Sequence, residues 1–125
     1  MILVDTSVWI EHLRSGDSTL VSLLNTGRVL VHPFVIGELA LGNLRQRDIV
    51  LDTLNNMPRA TVASDDEVLG FINRNKLFGL GVGYIDAHLL TSVRLSPGTQ
   101  LWTQDKRLSV AANRLGLHMA QKTGE

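Results

Sequence analysis

The stretch MILVDTSVWIEHL (residues 1–13) contains the first strand and the first helix of the predicted fold. Its first four residues are apolar and predict a short buried strand, and residues 7–13 predict a helix. Asp5 lies at the junction between the two. A side chain at this place, whether Asp5, Thr6 or Ser7, can cap the helix that follows. Asp5 on its own therefore indicates no function.

The rest of the chain alternates between strand patterns and helix patterns. Further strands are predicted at residues 28–33, 60–63, 100–103 and 117–120, and helices at 18–25, 33–44, 46–57, 64–77, 84–94 and 104–115. This alternation predicts an α/β fold, a three-layer sandwich with a mostly parallel central sheet and helices on both faces. We expect a single domain over residues 1–120 and a polar tail at 121–125.

The composition excludes several classes of protein. Hydrophobic residues make up 44% of the 125 residues and charged residues 19%, as in a globular protein. Cysteine is absent, which excludes a disulfide framework and a thiolate metal site and fits the cytoplasm. No apolar run is long enough to span a membrane. Because twelve basic residues balance twelve acidic ones, binding to nucleic acid would require a local basic patch or bound metal ions.

Four acidic residues are predicted to meet at one edge of the sheet. Ligand sites in open parallel sheets lie outside the carboxyl ends of the strands. Asp5 ends the first strand, and Asp105 follows the fourth. Glu38 lies in the second turn of the helix that leaves the second strand. Asp86 lies in the first turn of the helix that leads back to the fourth strand, so its side chain is expected at the same edge.

Each acid has a structural explanation when it is taken alone. Asp86 and Asp105, for example, would stabilise the first turns of their helices through the helix dipole. Together, however, four ionised carboxylates repel one another, and a divalent cation removes this conflict. Oxygen ligands suit Mg²⁺ or Mn²⁺, and such ions activate water for phosphodiester hydrolysis. The spacing therefore indicates a metal site.

Four motifs around these acids occur in one order along the chain: ILVDTSVWI (2–10), GELALG (37–42), YIDAHLL (84–90) and LWTQD (101–105). Together they resemble the PIN-domain nucleases, and more narrowly the VapC-type toxins of toxin–antitoxin pairs, over nearly the whole chain. The resemblance implies an endoribonuclease that depends on Mg²⁺ or Mn²⁺. It also implies a homodimer, a VapB-type antitoxin as partner, and a parallel sheet with strand order 3-2-1-4-5.

The resemblance assigns roles to individual side chains. It implies that the metal ion is held by Asp5, Asp86 and Asp105. Glu38 would complete the acidic cluster, as a ligand or by orienting the attacking water. Thr6 and Thr103 would supply hydroxyl groups to the metal's water shell or to a phosphate. Some relatives have a further acid three residues after the last Asp of the motif, where this chain has Leu108, which leaves a second metal site in doubt.

Two other groups of residues have an open interpretation. Lys106 and Arg107 adjoin Asp105 and are candidates to contact RNA phosphates beside the cleaved bond, although charged runs are usually solvated helix faces. Trp9, Ile10 and Leu13 belong either to the core, which we favour for Ile10, or to a groove for an antitoxin helix.

Two alternative functions are weaker. The segment DIVLDTLNNMP (48–58) resembles the phosphoacceptor region of response-regulator receivers, with Asp52 phosphorylated, Asp5 binding Mg²⁺ and Lys106 as the late lysine. Receivers have a second acid next to the first, where this chain has Thr6, and the segment has helical periodicity. A non-catalytic PIN-like scaffold that binds RNA or protein is the other alternative, and the presence of all four acids argues against it.

Overall fold

The computed structural model describes residues 1–119, and within them the sheet strands are short and the helices dominate. The strands are β1 (Ile2–Val4), β2 (Val29–Leu30) and β3 (Gln100–Trp102). The helices are α1 (Thr6–Ser15), α2 (Ser18–Asn25), α3 (Pro33–Ala40), α4 (Arg47–Asn55), α5 (Asp65–Asn75), α6 (Tyr84–Leu95) and α7 (Lys106–Arg114). The predicted tail at 121–125 lies outside the described residues.

The three strands form a parallel sheet in the order β2-β1-β3. In the central register Leu3 is paired with Leu30 on one side and with Leu101 on the other. Every residue of β1 is buried, as expected for a parallel sheet that is covered on both faces. This architecture confirms the predicted α/β class, with a parallel sheet flanked by helices.

The structure corrects two of the strand predictions. At residues 60–63 no strand forms, because the chain makes one bridge, between Arg59 and Val31, and the Thr61 N–H then donates to Ser96 Oγ (3.1 Å). At the opposite edge, within the part of 117–120 that is described, His118 makes one parallel bridge to Leu101. Ala120 is outside the described residues. The implied five-strand order therefore stays a prediction.

The helix starts follow the local signals in the sequence. Ser64 and Glu67 form the predicted capping box of α5, in which each side chain accepts a hydrogen bond from the other residue's backbone N–H. Pro33 opens α3, which ends at Ala40 and is thus shorter than predicted. None of the helices within residues 1–119 is long and apolar enough to cross a membrane.

Candidate active site

Asp5 lies between β1 and α1, and only 5% of its surface is exposed. Although it occupies the N-cap position of α1, its carboxylate makes no capping hydrogen bond. Instead, Ser7 Oγ (2.9 Å) and Thr103 Oγ1 (2.7 Å) both donate to the same oxygen, Oδ2. Asp5 is thus held at the edge of the sheet by hydroxyl groups, and helix capping does not explain it.

These hydroxyls join the end of β1 to the end of β3. Ser7 Oγ accepts a hydrogen bond from the Gln104 N–H (3.0 Å), and Thr103 Oγ1 accepts one from the Asp105 N–H (3.0 Å). Thr103 therefore supports Asp5 directly, and its expected role toward the metal's water shell or a phosphate stays a prediction. The part played by Ser7 was missed, since the sequence shows only a hydroxyl residue near a helix start, and its partner Gln104 lies 97 residues away.

Asp105 is the N-cap residue of α7, and its Oδ1 accepts a hydrogen bond from the Leu108 N–H (3.0 Å). Capping of α7 is therefore one role of this side chain. A carboxylate has a second oxygen with further acceptor capacity, so capping and metal binding are compatible at Asp105.

Glu38 lies in the second turn of α3 and is half-buried. Thr6 Oγ1, at the start of α1, donates a hydrogen bond of 2.7 Å to its Oε1. This bond ties α1 to α3 next to Asp5. Thr6 thus contacts the acidic cluster through its hydrogen bond to Glu38.

Asp86, in the first turn of α6, lies within electrostatic reach of each of the other three acids. Partial burial is the largest cause that raises its pKa, to about 6, and the charges of Asp5, Asp105 and Glu38 raise it further. A hydrogen bond from the backbone of Gly83 acts in the opposite direction. Asp86 is therefore close enough to Asp5, Asp105 and Glu38 for their charges to act on it.

The donor set of this cluster fits a hydrated hard cation. Within residues 1–119 no group of three or more His, Cys, Asp or Glu side chains is arranged to hold a metal ion directly. Mg²⁺ commonly uses one or two carboxylates and keeps several waters, so it does not need such a cage. A divalent cation would also relieve the repulsion that raises the pKa of Asp86.

The candidate RNA contacts lie on a separate surface beside the acids. A cavity of about 250 Å³, which we call the α7 groove, is lined by Leu80, Lys106, Arg107, Val110, Ala111 and Arg114. Lys106 and Arg107 follow Asp105 directly and are exposed. Neither forms a salt bridge with any other described side chain.

A second, larger cavity of about 700 Å³ includes Glu38 in its lining. We call it the α1 groove, and its lining includes Ile10, Leu13, Arg14, Glu38, Leu44 and Arg45. Trp9 is buried in the core, whereas Ile10 is 43% exposed, so the core prediction for Ile10 is wrong. Trp9 occupies the inward face of α1, and the adjacent Ile10 points toward the groove.

Comparison with known proteins identifies the class of protein. The family model of the PIN domain matches residues 2–114, and the chain belongs to the PIN-domain family. Ribonuclease VapC32 from two strains of Mycobacterium tuberculosis, CDC 1551 / Oshkosh and ATCC 25618 / H37Rv, is similar to it. In both cases the identity is 52% over 122 residues, which cover 98% of each chain.

Comparison with solved structures shows a similar fold. The crystal structure of PAE2754 from Pyrobaculum aerophilum superposes with a TM-score of 0.58 and 20% identity, over 89% of this chain and 78% of that one. The receiver alternative does not hold, because Asp52 lies on the exposed face of the helix α4 instead of ending a strand.

Proposed function

We propose that this protein is a cytoplasmic endoribonuclease that depends on Mg²⁺ or Mn²⁺, and that it is the toxic component of a VapBC-type toxin–antitoxin pair. The observation that carries the proposal is the arrangement at the end of β1, where Ser7 and Thr103 donate to the buried Asp5 and Thr6 donates to Glu38. Burial, together with the charges of Asp5, Asp105 and Glu38, raises the pKa of the neighbouring Asp86, which is consistent with this arrangement. Membership of the PIN family and similarity to proteins named Ribonuclease VapC32 support it.

In the proposed mechanism Asp5, Asp86 and Asp105 would hold the cation, in part through waters that it retains. When bound, the ion supplies an acidified water and neutralises charge on the phosphate that is cleaved. The chain's own contribution at Asp5 is position, because two hydroxyl donors set the orientation of its carboxylate. At Asp105 the cap bond from the Leu108 N–H does the same.

Glu38 orients the attacking water in this proposal. Its Oε1 accepts the hydrogen bond from Thr6, which leaves Oε2 to accept a proton of the water. The water oxygen forms the new bond to phosphorus, and the bond to the 3′ oxygen breaks. The water's proton passes to Glu38 Oε2, and the leaving 3′ oxygen takes a proton from solvent water. The expected products therefore carry 5′-phosphate and 3′-hydroxyl ends. Lys106 and Arg107 contact the phosphates beside the cleaved bond.

We further propose a VapB-type antitoxin as partner and a homodimer as the active assembly. The α1 groove supports the first proposal, since it exposes Ile10 and Leu13 and includes Glu38 in its lining. A peptide bound there would cover Glu38 and block access to the acids. The mass of the purified protein in solution tests the homodimer.

The decisive experiment is cleavage of total cellular RNA by the purified protein with Mg²⁺, Mn²⁺ or EDTA. We expect discrete fragments that disappear with EDTA and with Asp5→Asn. Asp52→Asn is the matched control, because it removes an exposed carboxylate from α4 and should cleave like the wild type. If folded, metal-supplied protein cleaves none of the RNAs, the scaffold alternative replaces the nuclease.

A further inference from the structure

The first turn of α6, which carries Asp86, depends on contacts from elsewhere for its position. Its N-cap residue is Gly83, which has no side chain to cap the helix. The loop before it (residues 79–83) contains two glycines with φ +75°, a conformation that needs the freedom of glycine. The charges of the three other acids also oppose that of Asp86. Without a cation, this repulsion pushes the turn away from the cluster.

Asp65, the first residue of α5, accepts hydrogen bonds from two side chains of α6. Tyr84 Oη donates to Asp65 Oδ1 at 2.8 Å, and His88 Nε2 lies 3.2 Å from the same oxygen. Because an ionised carboxylate only accepts, Nε2 is the donor. The bond from Tyr84, followed by that from His88, lowers the pKa of Asp65, which keeps the carboxylate ionised. We call Asp65, Tyr84 and His88 the α6 clamp.

The clamp holds α6 on the side opposite to Asp86. Tyr84 and His88 are four residues apart in the helix, so their side chains share one face. Asp86 lies two residues from each of them, which places its side chain about 200° around the helix axis at 3.6 residues per turn. Asp65 can therefore fix the turn without competing for the space around the acidic cluster.

Burial of His88 makes the clamp more than a surface contact. The His88 side chain is 3% exposed, whereas that of Asp65 is 79% exposed. Among the described residues, His88 Nδ1 has no hydrogen-bond partner, and Nε2 is paired with Asp65. Loss of the carboxylate would leave both nitrogens of a buried ring unpaired. Exposed ion pairs usually contribute little, but an unpaired buried polar group is costly.

The ring of His88 also connects α6 to α3. It packs edge-on against the ring of Phe34, with centroids 4.7 Å apart and an angle of 62° between the planes. Phe34 lies four residues before Glu38 in α3, so the two side chains share a face of that helix. The Phe34 N–H in turn donates to Nδ1 of His32, the N-cap residue of α3 (3.0 Å). The clamp thus holds α6 against the helix that carries Glu38.

We propose that the α6 clamp positions Asp86 for metal binding. Its three residues act through the backbone of α6 and do not themselves contact the metal ion. Because the clamp resists the repulsion between the acids before a cation arrives, the ion does not have to draw Asp86 into place. The inference rests on the proposed metal-dependent function and adds three positioning residues to it.

Binding of Mn²⁺ in the absence of RNA tests the inference, with free Mn²⁺ measured by electron paramagnetic resonance. Asp65→Ala should bind Mn²⁺ about tenfold more weakly than the wild type, the lower end of the cost of losing a partner that orients a metal ligand. The matched control is Asp66→Ala, which removes another exposed acid from the first turn of α5. Since its charge is screened by solvent, Asp66→Ala should stay within about twofold of the wild type.

A conservative variant separates hydrogen bonding from charge. Asp65→Asn removes the charge but keeps an oxygen that accepts from Tyr84 and His88, so its Mn²⁺ affinity should stay within about twofold of the wild type. Circular dichroism at the temperature of the titration shows that each variant is folded. A clamp that only stabilised the fold would leave the Mn²⁺ affinity of the folded protein unchanged.

Tyr84→Phe provides a second test that removes a single hydroxyl group. We expect an affinity about threefold weaker than that of the wild type, because one net hydrogen bond is lost. In Asp65→Ala the same change should have no further effect, since the acceptor is already gone. Tyr84→Phe also decides the question if Asp65→Ala does not fold.

RNA cleavage gives an independent readout. The rate of Asp65→Ala should recover toward that of the wild type as the Mn²⁺ concentration is raised, because its defect is in metal affinity. Asp5→Asn should not recover, since it lacks a carboxylate of the cluster itself.

Several outcomes would overturn the inference. These are equal Mn²⁺ affinities of Asp65→Ala and Asp66→Ala, an Asp65→Asn variant as weak as Asp65→Ala, or a wild-type affinity of Tyr84→Phe. RNA cleavage by the wild type with any of these results would leave the proposed ribonuclease standing. Clamp-dependent Mn²⁺ binding without cleavage would refute the ribonuclease alone, and a wild type that binds no Mn²⁺ would refute both.

Discussion

Asp5 and Asp86 are the same kind of side chain in opposite surroundings. Asp5 is almost completely buried, but hydroxyl donors from Ser7 and Thr103 converge on its Oδ2. Asp86 is less buried, yet its pKa rises to about 6, because burial and three neighbouring acids oppose its charge. Hydrogen bonds to a carboxylate favour its ionised form, and burial beside like charges disfavours it.

This contrast between Asp5 and Asp86 indicates that the two acids have different roles in the cluster. The position of Asp5 is set by the fold before any ligand arrives, through bonds that join the first and last strands. Asp86 is the acid whose charge most needs a cation, so metal binding and the protonation of Asp86 are linked. Substitutions at Asp5 and Asp105, whose carboxylates are held by hydrogen bonds, should therefore affect catalysis through geometry. Substitutions at Asp86 should change the free energy of unfolding in a way that depends on pH.

Asp105 offers the largest expected effect, because it combines metal binding with a helix cap. Asp105→Asn and Asp105→Ala should both reduce RNA cleavage by about 100-fold or more, since each removes the carboxylate. Asn caps helices about as well as Asp, whereas Ala costs about 1 kcal/mol at such a position. Denaturant unfolding in EDTA should therefore show that Asp105→Ala is less stable than Asp105→Asn. Equal stabilities would mean that the Leu108 bond contributes nothing.

Asp86 should make the folded protein less stable as the pH rises from about 4 to about 6. Its pKa is higher in the folded state than in the unfolded chain, so the folded state binds the proton more tightly in this window. After an allowance for solvent screening, ionisation should cost about 1–2 kcal/mol. In EDTA, Asp86→Asn should accordingly be more stable than the wild type at pH 7, and the two should converge near pH 4.

The control for this prediction is the cation itself. Mg²⁺ or Mn²⁺ at about 100 times its dissociation constant should stabilise the wild type by about 2.7 kcal/mol, and Asp86→Asn should gain much less. Comparing the two proteins at each pH cancels other titrating groups, such as His32, whose buried ring has a pKa lowered to about 4. A wild type that is as stable as Asp86→Asn at pH 7 would contradict the proposed repulsion.

The sequence predicts that the four acids meet at one edge of the sheet because local features position them. Asp5 follows a short apolar strand, and Asp86 and Asp105 stand at or near helix starts, so the α/β topology alone is enough to predict that they share an edge. Contacts between distant segments were not predictable. The bond from Thr61 to Ser96 draws the chain away from a third predicted strand, and only the packing of α1 shows that Ile10 is exposed.

The hydroxyl contacts around Asp5 also join distant segments of the chain and were therefore not predictable. Ser7 lies 97 residues from Gln104 and 96 from Thr103, so its role depends on side-chain orientation across the closed sheet. The α7 groove likewise depends on how the loop at Gly81 packs against Arg107. Sequence patterns predict which strands and helices lie next to one another. Which side chains then form hydrogen bonds to the acids depends on the tertiary structure.

The smallest expected effect tests the support of Asp5 itself. Ser7→Ala should reduce cleavage by about fivefold, because one net hydrogen bond contributes about 1 kcal/mol. Thr103→Val should cost a similar amount at nearly constant volume. Both hydroxyls donate to Oδ2, so their effects on the cleavage rate should not be independent. The double variant should lose less activity than the product of the two single losses. It would lose more than that product if each bond can compensate for the absence of the other. Strictly multiplicative losses in cleavage rate at saturating metal would show that the two hydroxyls act independently. If neither single variant lost activity, Asp5 would be held in place by its backbone alone.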